Sequence, residues 1–221
     1  MLKTAKERGT EHPIAISDLV PIELPTIISL FGLRYEELEE LGGVRLANPW
    51  VERDASVAGT FNFVTRTITV AASRPPAERR FTIAHEIAHS LYDAGIISFR
   101  ERGAVSSGPH DREEKSRERT ANSFAAELLM PTELVQDAMI RRFGSTIDGT
   151  IPRDDLAYFL TNATRQRIEP AILARMPQPR RAGLFAMADN YQGRTFMSLA
   201  QQFEVSTDAM AIRLLELGLV T

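Results

Sequence analysis

Apolar residues after Ser73 recur at helical spacing: Phe81, Ala84, Ala88 and Leu91 form one stripe of a helix predicted over 77–93. Ser73 can cap it, and Pro75 and Pro76 are tolerated in a first turn. A second amphipathic run, 112–130, carries Ala121, Ala125, Leu128 and Leu129 on one face and stops at Pro131. A shorter helix follows to Phe143, closed by Gly144. Upstream, residues 60–64 and 67–70 are rich in β-branched and aromatic side chains, with a turn at Thr65-Arg66, and predict a small antiparallel sheet. Residues 17–41 predict two short helices, 26–31 and 35–41, ended by Gly42-Gly43. Residues 95–110, with three glycines, three serines and a proline, read as an exposed loop. Further helix is predicted over 154–161, and residues 195–220 read as helix, tight turn at Glu204-Val205-Ser206, helix. The expected class is α+β, organised as a flexible lead-in (1–15), a main domain (16–144), a helical, arginine-rich insertion (145–194) and a C-terminal pair (195–221).

Cysteine is absent, so any metal must be held by His, Asp and Glu. A net charge of -3 makes no broad case for nucleic acid or anionic membrane. Residues 1–13 lack the apolar core of a signal peptide, and 19–33 is too short and too broken by Pro21, Glu23 and Pro25 to span a bilayer. A cytoplasmic protein without a membrane partner is expected.

His85-Glu86-Ile87-Ala88-His89 lies on the first long helix. Two histidines four apart share a face, about 6 Å apart along the axis, so both imidazoles can reach one ion. Glu86, turned about 100° from His85, is expected to serve as general base towards a water that zinc acidifies to a pKa near ~7. The bare motif also suits histidines hydrogen-bonded in a core, so the third ligand matters. No histidine stands six residues after His89, where position 95 is glycine; His12 and His110 fall in predicted loops. Asp93, one turn beyond His89, is a geometric possibility. Glu118 is the better one, because it extends the apolar stripe of the 112–130 helix, where an unpaired buried carboxylate costs several kcal/mol. Glu114 shares that face but sits in the first turn, where solvent and the helix dipole explain it. Glu113 and Glu127 point away. The competing reading of Glu118 is a solvated helix charge. Asn122, one turn on, can hydrogen-bond a histidine or Glu118.

The His85 to His89 run, its lead-in Arg80-Phe81-Thr82-Ile83-Ala84, and the stretch Glu118-Arg119-Thr120-Ala121-Asn122 through Leu128-Leu129-Met130-Pro131 closely resemble the ImmA/IrrE family of metallopeptidases. The combination is far more specific than the five-residue motif. The resemblance implies a zincin-like core whose third ligand is the glutamate four before the asparagine, Glu118 here. The family often carries a histidine three after its second ligand, where this chain has Tyr92. Tyr92, seven residues after His85, is also a candidate oxyanion stabiliser, against the alternative of a half-buried aromatic. Residues 195–221 resemble the family's C-terminal helical pair, with helix-turn-helix spacing. They hold one base, Arg213, against Glu204, Asp208 and Glu216, which suits packing or substrate docking better than DNA phosphate. Residues 165–181 carry five arginines against one acid, Glu169; an acidic partner, DNA or a solvated face would all fit.

The resemblance implies a regulatory endopeptidase that inactivates a cytoplasmic DNA-binding repressor by limited cleavage. Strand 67–70, read as a sheet edge, would hold the substrate peptide by backbone pairing. Two alternatives compete: a partner- or DNA-binding regulator with a non-proteolytic metal site, and a toxin-like or signalling protein on the same fold. Glu86 discriminates, because a structural site needs closed coordination and no general base. Two imidazoles and a carboxylate suit Zn2+, although Mn2+ or Fe2+ could use the same ligands.

Overall fold

The computed structural model describes residues 20–41, 58–92, 109–144 and 167–221, with isolated positions 147, 154, 157, 158 and 160. The predicted lead-in, His12, Asp93, the 95–108 loop and most of the 154–161 helix lie outside them. In chain order the elements are α1 (Leu24–Leu30), β1 (Arg34–Leu38), β2 (Gly59–Asn62), β3 (Thr67–Ala71), α2 (Pro76–Tyr92), α3 (Pro109–Leu129) and α4 (Thr132–Phe143). Then follow α5 (Pro170–Arg175), α6 (Gln178–Met187), the hairpin β4 (Asn190–Tyr191) and β5 (Arg194–Thr195), α7 (Leu199–Gln202) and α8 (Thr207–Glu216). The class is mixed α+β. No helix among the described residues is long and apolar enough to cross a membrane.

The three-stranded sheet runs in the order β1-β3-β2. β2 is antiparallel to β3, with Phe61 opposite Ile68, but β1 is parallel to it, with Arg34 opposite Thr67. The sheet is therefore mixed rather than antiparallel. Residues 34–38 form a strand where a helix over 35–41 was expected, and 67–70 is the central strand rather than an edge. All five β1 side chains are exposed, so no buried face marked the strand in the sequence. What fixes it is backbone pairing: Arg34 N donates to Arg66 O (2.8 Å) and Ala72 N to Leu38 O (2.7 Å). The Arg66 guanidinium adds bonds to the Phe31 and Gly32 carbonyls (2.7 and 3.3 Å). A buried central strand needs partners on both sides, and that demand outweighs helix propensities of a few tenths of a kcal/mol per residue.

Every residue of α2 from Ile83 to Ser90 is buried. The helix is thus enclosed on all sides between β2, β3 and α3. This differs from the single predicted stripe: Ile83 and Ile87, off that stripe, are buried, whereas Leu91 is exposed at the helix end. The approach to the sheet is close at Gly59, where a Cβ would stand 2.3 Å from Thr82 Cγ2 and 3.2 Å from Thr69 O.

One hydrophobic cluster joins Ile68, Ile87 and Leu129 to Phe185, Phe203 and Leu214. Within it, α8 packs along α6. Ser198 makes a capping box with Gln201 at the start of α7, and Ser206 caps α8. Between them Glu204 takes φ 52°, a left-handed turn position usually given to glycine. Two buried arginines stitch these helices on. Arg142 donates to Ala138 O, Met197 O and Gln202. Arg213 donates to Met130 O (3.1 Å) and Thr132 Oγ1 (3.0 Å) and pairs with Glu127.

Candidate metal centre

Burial through Ile83–Ser90 encloses two histidines and a glutamate along with the aliphatic residues. His85 is 1% exposed, His89 4% and Glu86 5%. Groups of this kind are rarely buried without a partner or a function. Their spacing of four puts both imidazoles on the side of α2 that meets α3. There the two Nε2 atoms approach to 2.9 Å, with the rings inclined at 75°. Glu118, from α3, closes the group: one carboxylate oxygen lies 3.3 Å from His85 Nε2 and the other 3.7 Å from His89 Nε2. One ligand atom from each of the three residues lies within 4.8 Å of the other two. Two imidazole nitrogens and a carboxylate oxygen this close together are a donor set that could hold a divalent metal ion. The Glu118 side chain is 26% exposed, so the cluster reaches the surface on that side.

Asn122 stands one turn after Glu118, and its Oδ1 lies 2.9 Å from His85 Nδ1. With the ring proton on Nδ1 donated to that oxygen, the Nε2 lone pair is directed at His89 and Glu118, as a ligand requires. The expected partner residue is therefore in contact with a histidine. Tyr92 follows at the end of α2. Its ring packs edge-on against Phe124 at 5.9 Å and is largely exposed, and its hydroxyl makes no hydrogen bond among the described residues.

Glu113 and Glu114 are exposed. Glu127 accepts from Thr132 N (2.9 Å) and Thr132 Oγ1 (3.0 Å), which anchors the start of α4. Partial burial works to raise its pKa, but those bonds and Arg213 prevail and hold the carboxyl below its ordinary value. Arg213, the single base of the C-terminal pair, is thus engaged in this junction and withdrawn from any phosphate. The sequence reading missed this arrangement. Its available signal was a carboxylate placed five residues before a threonine across the Pro131 break.

A family model described as the IrrE N-terminal-like domain, of a peptidase family, matches residues 45–147. That span contains His85, His89 and Glu118, together with Glu86 and Asn122. It is an ImmA/IrrE-family domain. A stretch of 109 residues is also 35% identical to the "Radiation response metalloprotease IrrE" of Deinococcus deserti. It takes in 48% of this chain and 36% of that protein's length. The similarity is thus to a metalloprotease domain, and the His85–His89–Glu118 group has the donor chemistry to hold a metal ion.

Proposed function

We propose that the chain is a zinc-dependent endopeptidase in which His85, His89 and Glu118 hold the ion and Glu86 is the general base. The observation that carries this reading is the convergence of the three ligand atoms within 4.8 Å of one another, on the two helices that the family match spans. Bound there, zinc would supply Lewis acidity to water and to the scissile carbonyl. The protein's own groups do the rest. Asn122 holds the His85 tautomer, and Glu86, buried beside that histidine, takes the proton of the attacking water and returns it to the leaving amine. The partly exposed Glu118 side leaves room for an incoming chain. Mn2+ or Fe2+ could use the same donors.

The substrate we infer is a cytoplasmic repressor of the helix-turn-helix type, cut at a limited site; the family resemblance supports this. Backbone pairing to the substrate falls to a margin of the sheet, β1 or β2 among the described strands, and β2 is the one packed against α2. The buried, engaged Arg213 argues against the alternative of a DNA-reading α8.

Glu86→Gln tests the mechanism. The variant should bind zinc to the same stoichiometry as the parent yet lose repressor cleavage by about 10²-fold or more. Equal cleavage by the variant and the parent would exclude Glu86 as the base.

A further inference from the structure

The five arginines of 165–181 stand out in a chain of net charge -3, and the fold sorts them. Arg181 is buried and donates to the Leu173 and Ala174 carbonyls (3.3 and 3.2 Å), at the end of α5 where a cation also offsets the helix dipole. Arg165 lies outside the described residues. Arg167, Arg175 and Arg180 are exposed and line a cleft of about 390 Å³ between α5 and α6. Ile168 and Leu184 are buried along its wall, and Ile172 stands 54% exposed at its rim. Arg167 has Glu169 at 3.4 Å, while Arg175 and Arg180 have no ion pair or side-chain hydrogen bond among the described residues.

We propose that this cleft docks a short acidic peptide segment carrying leucine-like side chains between its carboxylates. The two free guanidiniums present forks that match carboxylates in a bidentate manner. Exposed ion pairs contribute little alone, so covering Ile172 and the apolar wall supplies the main affinity and the arginines select the acidic partner. That apolar surface is what a nucleic-acid backbone would leave unused. The cleft volume sits at the lower end for ligand pockets and suits a few side chains rather than a whole helix. Because α5 and α6 lie beyond residues 45–147, the proposal is independent of the metal reading.

The test is fluorescence anisotropy with the full chain in EDTA, so that failure of the metal reading leaves it intact. The probes are a labelled peptide of about ten residues bearing glutamates and two leucines, its glutamine counterpart, its serine-for-leucine counterpart, and a labelled DNA duplex. The acidic peptide should bind at least tenfold more tightly than either peptide control. Arg175→Glu with Arg180→Glu should weaken it at least tenfold, the paired lysine replacements should retain most binding, and Ile172→Asp should weaken it with an unchanged melting temperature. Equal binding of the acidic and glutamine peptides, indifference to charge reversal, or tighter binding of the duplex through the same arginines would overturn the proposal.

Discussion

Asn122→Ala removes the acceptor 2.9 Å from His85 Nδ1. In the native arrangement that bond holds the ring proton on Nδ1 and directs the Nε2 lone pair towards His89, 2.9 Å away, and Glu118. Without it, the tautomer protonated at Nε2, which cannot ligate, gains population. A neutral hydrogen bond contributes about 0.5–1.5 kcal/mol net, and outer partners of metal-bound histidines typically carry ten- to a hundredfold in metal affinity. Asn122 is itself exposed, so water can take over part of its role, which selects the lower end of that range. The expected loss is about tenfold in zinc affinity, or about 1.4 kcal/mol. Competition against a chromophoric zinc chelator near neutral pH measures it directly, on the parent, Asn122→Ala and Asn122→Asp. The aspartate supplies a charged acceptor at the same place and should bind zinc at least as well as the parent. If a folded Asn122→Ala holds zinc within twofold of the parent, the orienting argument is wrong.

Glu118→Ala should purify with zinc well below the parent's content while keeping its fold, as elemental analysis and circular dichroism would show together; full retention would remove Glu118 from the ligand set. Arg213→Ala leaves the buried Met130 carbonyl without its donor and should destabilise by about 1–3 kcal/mol in urea unfolding. Because the folded Glu127 carboxyl lies below its ordinary value of 4.5, its contribution is fully present above that value and is lost as the pH falls through the folded one. Removing Arg213 should therefore flatten the acid limb of the stability profile, and an unchanged limb would count against the pairing. Gly59→Ala should cost about 1–3 kcal/mol through contact with Thr82 Cγ2, and Thr82→Ala should recover most of it in a double-mutant cycle.

The helix of the proposed metal site was legible because its chemistry and its periodicity coincide: histidines four apart are informative whether or not the surrounding stripe is read correctly. The stripe itself was too narrow, since Ile83 and Ile87 are buried by neighbours on a second side of α2 that no single-helix pattern reveals. Glu118 and Asn122 were chosen from their placement along α3, and the structure places both beside His85. β1 was misread for the opposite reason. Its Tyr35, Glu36, Glu37 and Leu38 are all exposed, so its state depends on a ladder to residues more than thirty positions away. The central place of β3 followed from that same unseen partner. The Glu127–Thr132–Arg213 junction was hidden because a charged residue on a helix surface looks solvated until the remote chain that covers it is known.

Each helix of the proposed metal site is moored to the C-terminal unit by a different attachment. On α2, Arg80 reaches Glu204 in the turn before α8 at 3.2 Å, and at the end of α3, Glu127 holds Arg213 on α8. An ion held between α2 and α3, as proposed, would then resist fraying of the tail by mass action, and a loosened tail would lower occupancy of the ion by the same factor. Slowed amide exchange in α8 on zinc addition is the signature of that reciprocity, and it makes the last helix a thermodynamic partner of a centre whose ligands it does not supply.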